Sequence, residues 1–291
     1  MKIENAVIMA AGKSTRFAPL SYEKPKGLWE VRGEILIERQ IRQLQKAGIK
    51  DIAIVVGYKK EQFYYLKEKF GVVIIENDDY DKYNNTSTLM RVLDRISATY
   101  LCSSDNFFLE NVFKGEVTEP YYAAVFQRGK TDEWCLSVNE NGRIVDVTVG
   151  GTDAWCMMGH VCFLPDFSER FKKILVEEYE REQTRRELWE SVYMRHVKEL
   201  ALYIRRYDKG EILEFDSLED LRAFDVSYCD RSNCRIMERI AQTLACAERE
   251  ITGIVPLGSG DAEKGFRFIC NGKGYIYRYP GAENLTEVGE V

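Results

Sequence analysis

At 291 residues, with 45% hydrophobic content, the chain is long enough for one large domain plus a small one, and 41 basic against 47 acidic side chains leave a net charge of −6. That mild acidity argues against a nucleic-acid polymer as partner, while a local cluster of cations can still hold a small phosphate. No run approaches the ~18 apolar residues of a membrane span and no leader-like segment precedes Gly12, so a soluble cytoplasmic protein without membrane contact is expected. The eight cysteines include no C-x-x-C pair, and nothing near Cys229 and Cys234 completes a zinc site; they read as reduced core residues.

In chain order, the apolar run Ala6–Met9 reads as a first strand, and Ala10, Ala11 and Gly12 open a loop into which Arg16, Lys24 and Lys26 deliver three cations. Backbone N–H groups left unshielded by small residues, with cations beside them, suit a triphosphate. Gly12-Lys13-Ser14-Thr15 looks like the close of a Walker A loop. That motif needs glycine at position 7, where Val7 lies inside the strand, so a P-loop is set aside.

Ile35, Ile37, Ile41 and Leu44 predict a helix closing at Gly48. Then follow strand 52–56, a helix near 60–69, strand 72–76, a helix near 86–95 and strand 100–103. This alternation predicts an α/β, Rossmann-like, mainly parallel sheet with helices on both faces and ligands gathered at the carboxyl ends of its strands. Closely spaced strands at 121–127, 136–138, 143–149 and 155–164 predict an antiparallel insertion over the ligand site. Two helices (166–182 and 186–198) and a strand at 202–207 lead to Ser217 and Asp220, a capping pair for a helix over 217–225. Beyond 226 the character changes: one amphipathic helix over 230–250, with Ile236, Ile240, Leu244 and Ala247 on a face, then a β-hairpin over 266–279. The domains are therefore read as 1–226 and a small helix-plus-hairpin appendage, 227–291.

Asp105 ends the fourth strand, facing the Gly12 loop, and Asp216 occupies a similar strand-to-helix turn. Magnesium in phosphoryl chemistry takes one or two such carboxylates; a turn residue and a helix N-cap are the alternative roles. Tryptophan beside carboxylate suits a quaternary ammonium, which singles out Glu133-Trp134 and Glu187 with Trp189; core packing is the commoner role of a tryptophan taken alone, and Trp155 after Asp153 is read that way first.

The residues Ala10-Ala11-Gly12 with Arg16, Lys24-Pro25-Lys26, Val56-Gly57-Tyr58, Tyr83-Asn84-Asn85, Ser104-Asp105-Asn106, Glu133-Trp134 and Phe215-Asp216-Ser217 together resemble the bacterial CTP:phosphocholine cytidylyltransferases, over about three-quarters of the chain. The resemblance implies the nucleotidyltransferase fold, CTP and phosphocholine as substrates, and Mg2+ on Asp105 and Asp216. It assigns Lys26 and Arg16 to phosphate and Ala10, Ala11, Gly12, Tyr58, Asn84, Asn85 and Ser104 to the nucleotide. Trp134 and Trp189, with Glu133 and Glu187, would line a choline pocket. Lys13-Ser14-Thr15 and Trp189 depart from the family pattern. Residues 256–281 resemble the first hairpin of choline kinases, which implies a partial kinase lobe without kinase activity, or a fused kinase region; the oligomeric state stays open. The competing readings are the same chemistry on 2-aminoethylphosphonate or a hexose 1-phosphate, and a nucleotide-binding regulatory module without turnover.

Overall fold

The computed structural model describes residues 1–258, 265–280 and 285–290. It divides into two compact units: residues 1–12 with 36–214, and residues 13–35 with 215–291.

The first unit is organised by a seven-stranded sheet. In spatial order its strands are Tyr203–Tyr207, Tyr121–Val138, Ile144–Phe163, Thr99–Ser103, Asn5–Ala10, Asp51–Val56 and Val73–Glu76. The pairs flanking Asn5–Ala10 are parallel, and the sheet turns antiparallel on either side of Ile144–Phe163. The parallel strands are near-continuous apolar runs (Ala6, Val7 and Ile8 are fully buried, as are Ile54, Val55 and Val56), as burial on both faces requires. Helix Leu36–Lys46 forms where the Ile37, Ile41 and Leu44 spacing predicts it, and Gly48 past its end takes a φ of +88° that favours glycine.

The middle differs from the sequence reading. The four short strands expected between 121 and 164 are two long ones, folded back at Asn139–Gly142 and interrupted by bulges. Their base completes the central sheet, because Thr99–Cys102 pairs with His160–Phe163. Short runs of polar residues at bulges mimic turns, which is why continuous strands read as separate ones.

In the second unit, helix Leu218–Phe224 carries the expected capping box between Ser217 and Asp220. A four-stranded antiparallel sheet follows, in the order Thr252–Pro256, Gly265–Cys270, Lys273–Arg278, Leu285–Glu290. It contains the expected hairpin, turning at Asn271-Gly272, both with positive φ. The single helix expected over 230–250 is corrected: it runs only Arg235–Leu244, stopped by Ala245 at φ 49°, and Ala247 is exposed beyond it. Asp261-Ala262-Glu263, within the 256–281 stretch that resembles a choline-kinase hairpin, lie outside the described residues. Among the described residues no helix is long and apolar enough to cross a membrane, and all eight cysteines are free thiols, six of them buried.

Candidate active site

In the first unit, three strand-end loops converge at the carboxyl edge of the parallel sheet. Tyr58 N–H donates to the Ala11 carbonyl (3.0 Å) and Ser104 N–H to the Met9 carbonyl (3.2 Å), fastening the loops after the second and fourth strands to the end of the first. Gly57, just before Tyr58, lets the Tyr80 side chain lie against the backbone, since a Cβ there would be 2.6 Å from it. Around Gly12, by contrast, a Cβ would meet nothing within 4 Å, so the missing side chain leaves backbone open to a ligand rather than to the protein. Asp105 lies in the same edge, partly buried. The short pairing of Asn106–Phe108 with Ile212–Glu214 brings Glu214 opposite Asn106, and the Asp105 and Glu214 carboxylates offer oxygens within 4.8 Å of each other. Sequence reasoning missed Glu214; its signal was its place two residues before Asp216.

Asn84 and Asn85 are engaged within the protein. Asn84 caps helix Asn85–Met90 by accepting from the Asn85 N–H (2.8 Å). Asn85 accepts from the Trp189 N–H (2.7 Å) and donates to Glu190 (3.4 Å), so it ties this edge to helix Trp189–Arg195. Trp189 is 1% exposed, stacked on Tyr122 (5.8 Å between centroids) and edge-on to Phe163 and Phe171, within the main hydrophobic core. Trp134 is partly buried against that same core, and Glu133 beside it is exposed. Glu187 is committed elsewhere, in an ion pair with Arg195 (2.7 Å) and a hydrogen bond from Gln183 (2.8 Å).

The carboxylate that does meet the aromatic stack is Glu190, the residue after Trp189, which sequence reasoning passed over. It accepts from the Tyr122 hydroxyl (3.1 Å), and burial pushes its pKa up to about 7, against the opposing pull of hydrogen bonds from Asn85 and Tyr122. The charge of Glu214 also reaches Tyr122, helping to raise that phenol.

In the second unit, Lys26 is 5% exposed and its Nζ donates to Asp216 Oδ1 (2.8 Å), beneath the Phe17 ring. Arg16 meets the other oxygen of the same carboxylate, Oδ2, also at 2.8 Å, and its side chain is largely exposed. Lys24 lies over the Trp29 ring, whose Nε1–H donates to the Lys24 carbonyl. Ser14 stands in the left-handed region (φ 50°), a conformation that costs an L-residue roughly 1 kcal/mol. Asp216 does not cap the following helix; Ser217 does, and Asp216 N–H donates to Asp220. Its carboxylate is thereby left for Lys26 and Arg16.

Residues 6–113 match the MobA-like NTP transferase domain. A choline-phosphate cytidylyltransferase of Streptococcus pneumoniae is 33% identical over 220 residues, 76% of this chain and 96% of the relative. The chain belongs to the cytidylyltransferase family of nucleotidyltransferases. A 2-aminoethylphosphonate cytidylyltransferase of Lancefieldella rimae is 36% identical over 228 residues, 77% of this chain and 93% of the relative. The solved structure of the CTP:phosphocholine cytidylyltransferase from Streptococcus pneumoniae superposes with a TM-score of 0.74, covering 77% of this chain and 97% of that one. This chain is thus a nucleotidyltransferase with the family's α/β fold, built around a mainly parallel central sheet.

Proposed function

We propose that this cytidylyltransferase transfers the cytidylyl group of CTP to phosphocholine, giving CDP-choline and pyrophosphate. The observation that supports this reading is the partly buried Trp134 with the exposed Glu133 beside it, at the margin of the core that holds Trp189 and the Tyr122–Glu190 hydrogen bond. Aromatic faces with negative charge favour a trimethylammonium, which has no N–H to donate. One observation favours a second acceptor, 2-aminoethylphosphonate: the phosphonate-specific relative is as similar as the choline-specific one. A primary ammonium would need hydrogen-bond acceptors, and Glu190 is the carboxylate that could offer them.

In the proposed reaction an acceptor oxygen attacks the α-phosphorus of CTP, the bond to the β-phosphate oxygen breaks, and pyrophosphate leaves. Such a displacement asks the protein mainly to position and neutralise charge. Lys26 bridges the acceptor phosphate and the α-phosphate, and Arg16 holds the β- and γ-phosphates. Backbone at Ala10, Ala11 and Gly12, with Tyr58, Asn84, Asn85 and Ser104, surrounds the nucleotide. Asp105 and Asp216 are the proposed magnesium ligands, and Glu214, near Asp105 in the first unit, is a further candidate. An oxygen-only donor set suits this hard cation, and magnesium, when bound, would offset charge on the phosphates. Residues 227–291 are read as a partial choline-kinase-like lobe without kinase activity, a reading that choline-dependent ADP formation from ATP would overturn.

The test is pyrophosphate release across four nucleoside triphosphates and four acceptors: phosphocholine, phosphoethanolamine, 2-aminoethylphosphonate and glucose 1-phosphate. Turnover confined to CTP with phosphocholine is expected. Preference for the phosphonate would transfer the assignment to the second acceptor, and silence throughout would favour the regulatory module.

A further inference from the structure

Between Arg16 and Lys26 the loop carries two residues that the chemistry above does not use, Tyr22 and Glu23, and both are spent on the C-terminal segment. The Tyr22 hydroxyl donates to the Gly265 carbonyl (2.9 Å), and its ring stacks on Tyr279 at 5.1 Å. Glu23 accepts from the Ile236 N–H through Oε1 (2.8 Å) and from the Arg235 N–H through Oε2 (3.1 Å). Those N–H groups open helix Arg235–Leu244, whose own flanking residue, Cys234, supplies no side-chain cap. A carboxylate from the phosphate loop therefore satisfies two of the orphan donors at the positive end of a helix more than two hundred residues away.

The attachment continues past the cations. The Tyr228 hydroxyl donates to the Glu30 carbonyl (2.5 Å). Arg32 N–H donates to the Asp225 carboxylate (2.7 Å), and the Arg32 guanidinium lies 3.8 Å from the Phe224 ring centroid. Every one of these bonds lies within the second unit.

We propose that the C-terminal segment is a positioning clamp for the phosphate loop, with Glu23 as its principal positioning residue. Docking of Tyr22 on the sheet and Glu23 on the helix sets the path of the chain from Arg16 to Lys26, and with it the placement of both cations. This rests on the reading of Arg16 and Lys26 as phosphate-contacting groups.

The experiment compares full-length wild type with Glu23→Ala, Glu23→Gln and Tyr22→Phe. It measures kcat, KM for CTP and KM for phosphocholine separately, together with amide hydrogen exchange over residues 13–28. Glu23→Ala is expected to raise KM for CTP roughly two- to thirtyfold, the range of a lost helix cap, with KM for phosphocholine unchanged. Exchange in residues 13–28 rises in parallel. Glu23→Gln falls between, because its amide oxygen still accepts one N–H. Tyr22→Phe, which deletes a single hydrogen bond and keeps the ring, shows the same selective change on a smaller scale, and it decides the matter if Glu23→Ala fails to fold. A loosened loop with unchanged KM for CTP overturns the positioning role. Unchanged exchange overturns the clamp, and equal losses for both substrates reduce Tyr22 and Glu23 to general stability. Should wild type prove inactive with CTP, the cytidylyl reading fails by itself, while the exchange measurement still decides whether the segment holds the loop.

Discussion

In the proposed reaction, the carboxyl edge of the parallel sheet and the loop carrying Arg16 and Lys26 bring charge to the chemistry by different means. At the sheet edge, Asp105 follows a strand whose register with its neighbour is set by backbone hydrogen bonds along buried apolar runs. In the second unit, Lys26 and Arg16 both pair with the Asp216 carboxylate, 190 residues beyond Lys26. The contrast teaches where each group is vulnerable: the ladder is redundant, whereas both cations of the loop share one distant carboxylate. Substitution at the edge should therefore change chemistry and spare the fold, whereas substitution in the loop should disturb both.

The sharpest way to break the comparison is Asp105→Asn. The side chain keeps its shape and loses its charge, so kcat should fall on the order of 10³-fold with an unchanged melting temperature. Near wild-type turnover in pyrophosphate release would remove Asp105 from the metal role. Lys26→Ala comes next, with a fall in kcat on the order of 10²-fold. Here the melting temperature should drop too, because a buried cation is deleted and Asp216 keeps only its exposed partner Arg16. If Lys26→Ala melts like wild type while Asp105→Asn does not, the contrast between ladder and loop is inverted.

A smaller effect comes from Glu190, where burial raises the pKa from 4.5 to about 7. Below about pH 4.5 the group is protonated in both folded and unfolded chains and costs nothing. Between about 4.5 and 7 the unfolded chain ionises while the folded carboxyl holds its proton. Stability should fall across that window by up to about 3 kcal/mol and level off above it. Glu190→Gln should flatten this part of the curve in denaturant titrations at pH 4.5, 6 and 7.5. The same ionisation should lower KM for phosphocholine between pH 6 and 8 in wild type beyond what the substrate phosphate contributes, and the Gln variant separates the two. A wild-type profile identical to that of the variant would mean that Glu190 does not face the cation.

How much of this was legible follows the same divide. That Ala11, Tyr58 and Ser104 each follow the carboxyl end of a buried strand is legible locally, from apolar runs, small residues and alternation, whereas the parallel register that brings those ends together is a tertiary pairing. The Ser217–Asp220 capping box is legible for the same reason, since its partners are three residues apart. Glu190 was passed over because Glu187 offers the same chemistry three positions earlier; only the fold shows that Arg195 engages Glu187 and Tyr122 reaches Glu190. The start of the helix at Arg235 was invisible because its cap, Glu23, comes from the far end of the chain. Periodicity extended that helix in both directions, and neither a trans cap nor a left-handed Ala245 leaves a mark in a hydrophobic pattern.

The smallest expected effect tests the aromatic side of the sheet edge. Trp189 is sealed in the core, so its removal would open a cavity and report on folding before it reported on substrate. Trp134 is only partly buried, and its truncation has less packing to lose. Trp134→Ala should weaken phosphocholine by ~0.5–2 kcal/mol, the range for a cation on an aromatic face, and leave KM for CTP unchanged. Running the same variant with 2-aminoethylphosphonate sharpens the assignment, since a primary ammonium held through hydrogen bonds should lose less than a trimethylammonium held by the ring. Equal losses for CTP and both acceptors would return Trp134 to the packing role that its neighbours in the core already have.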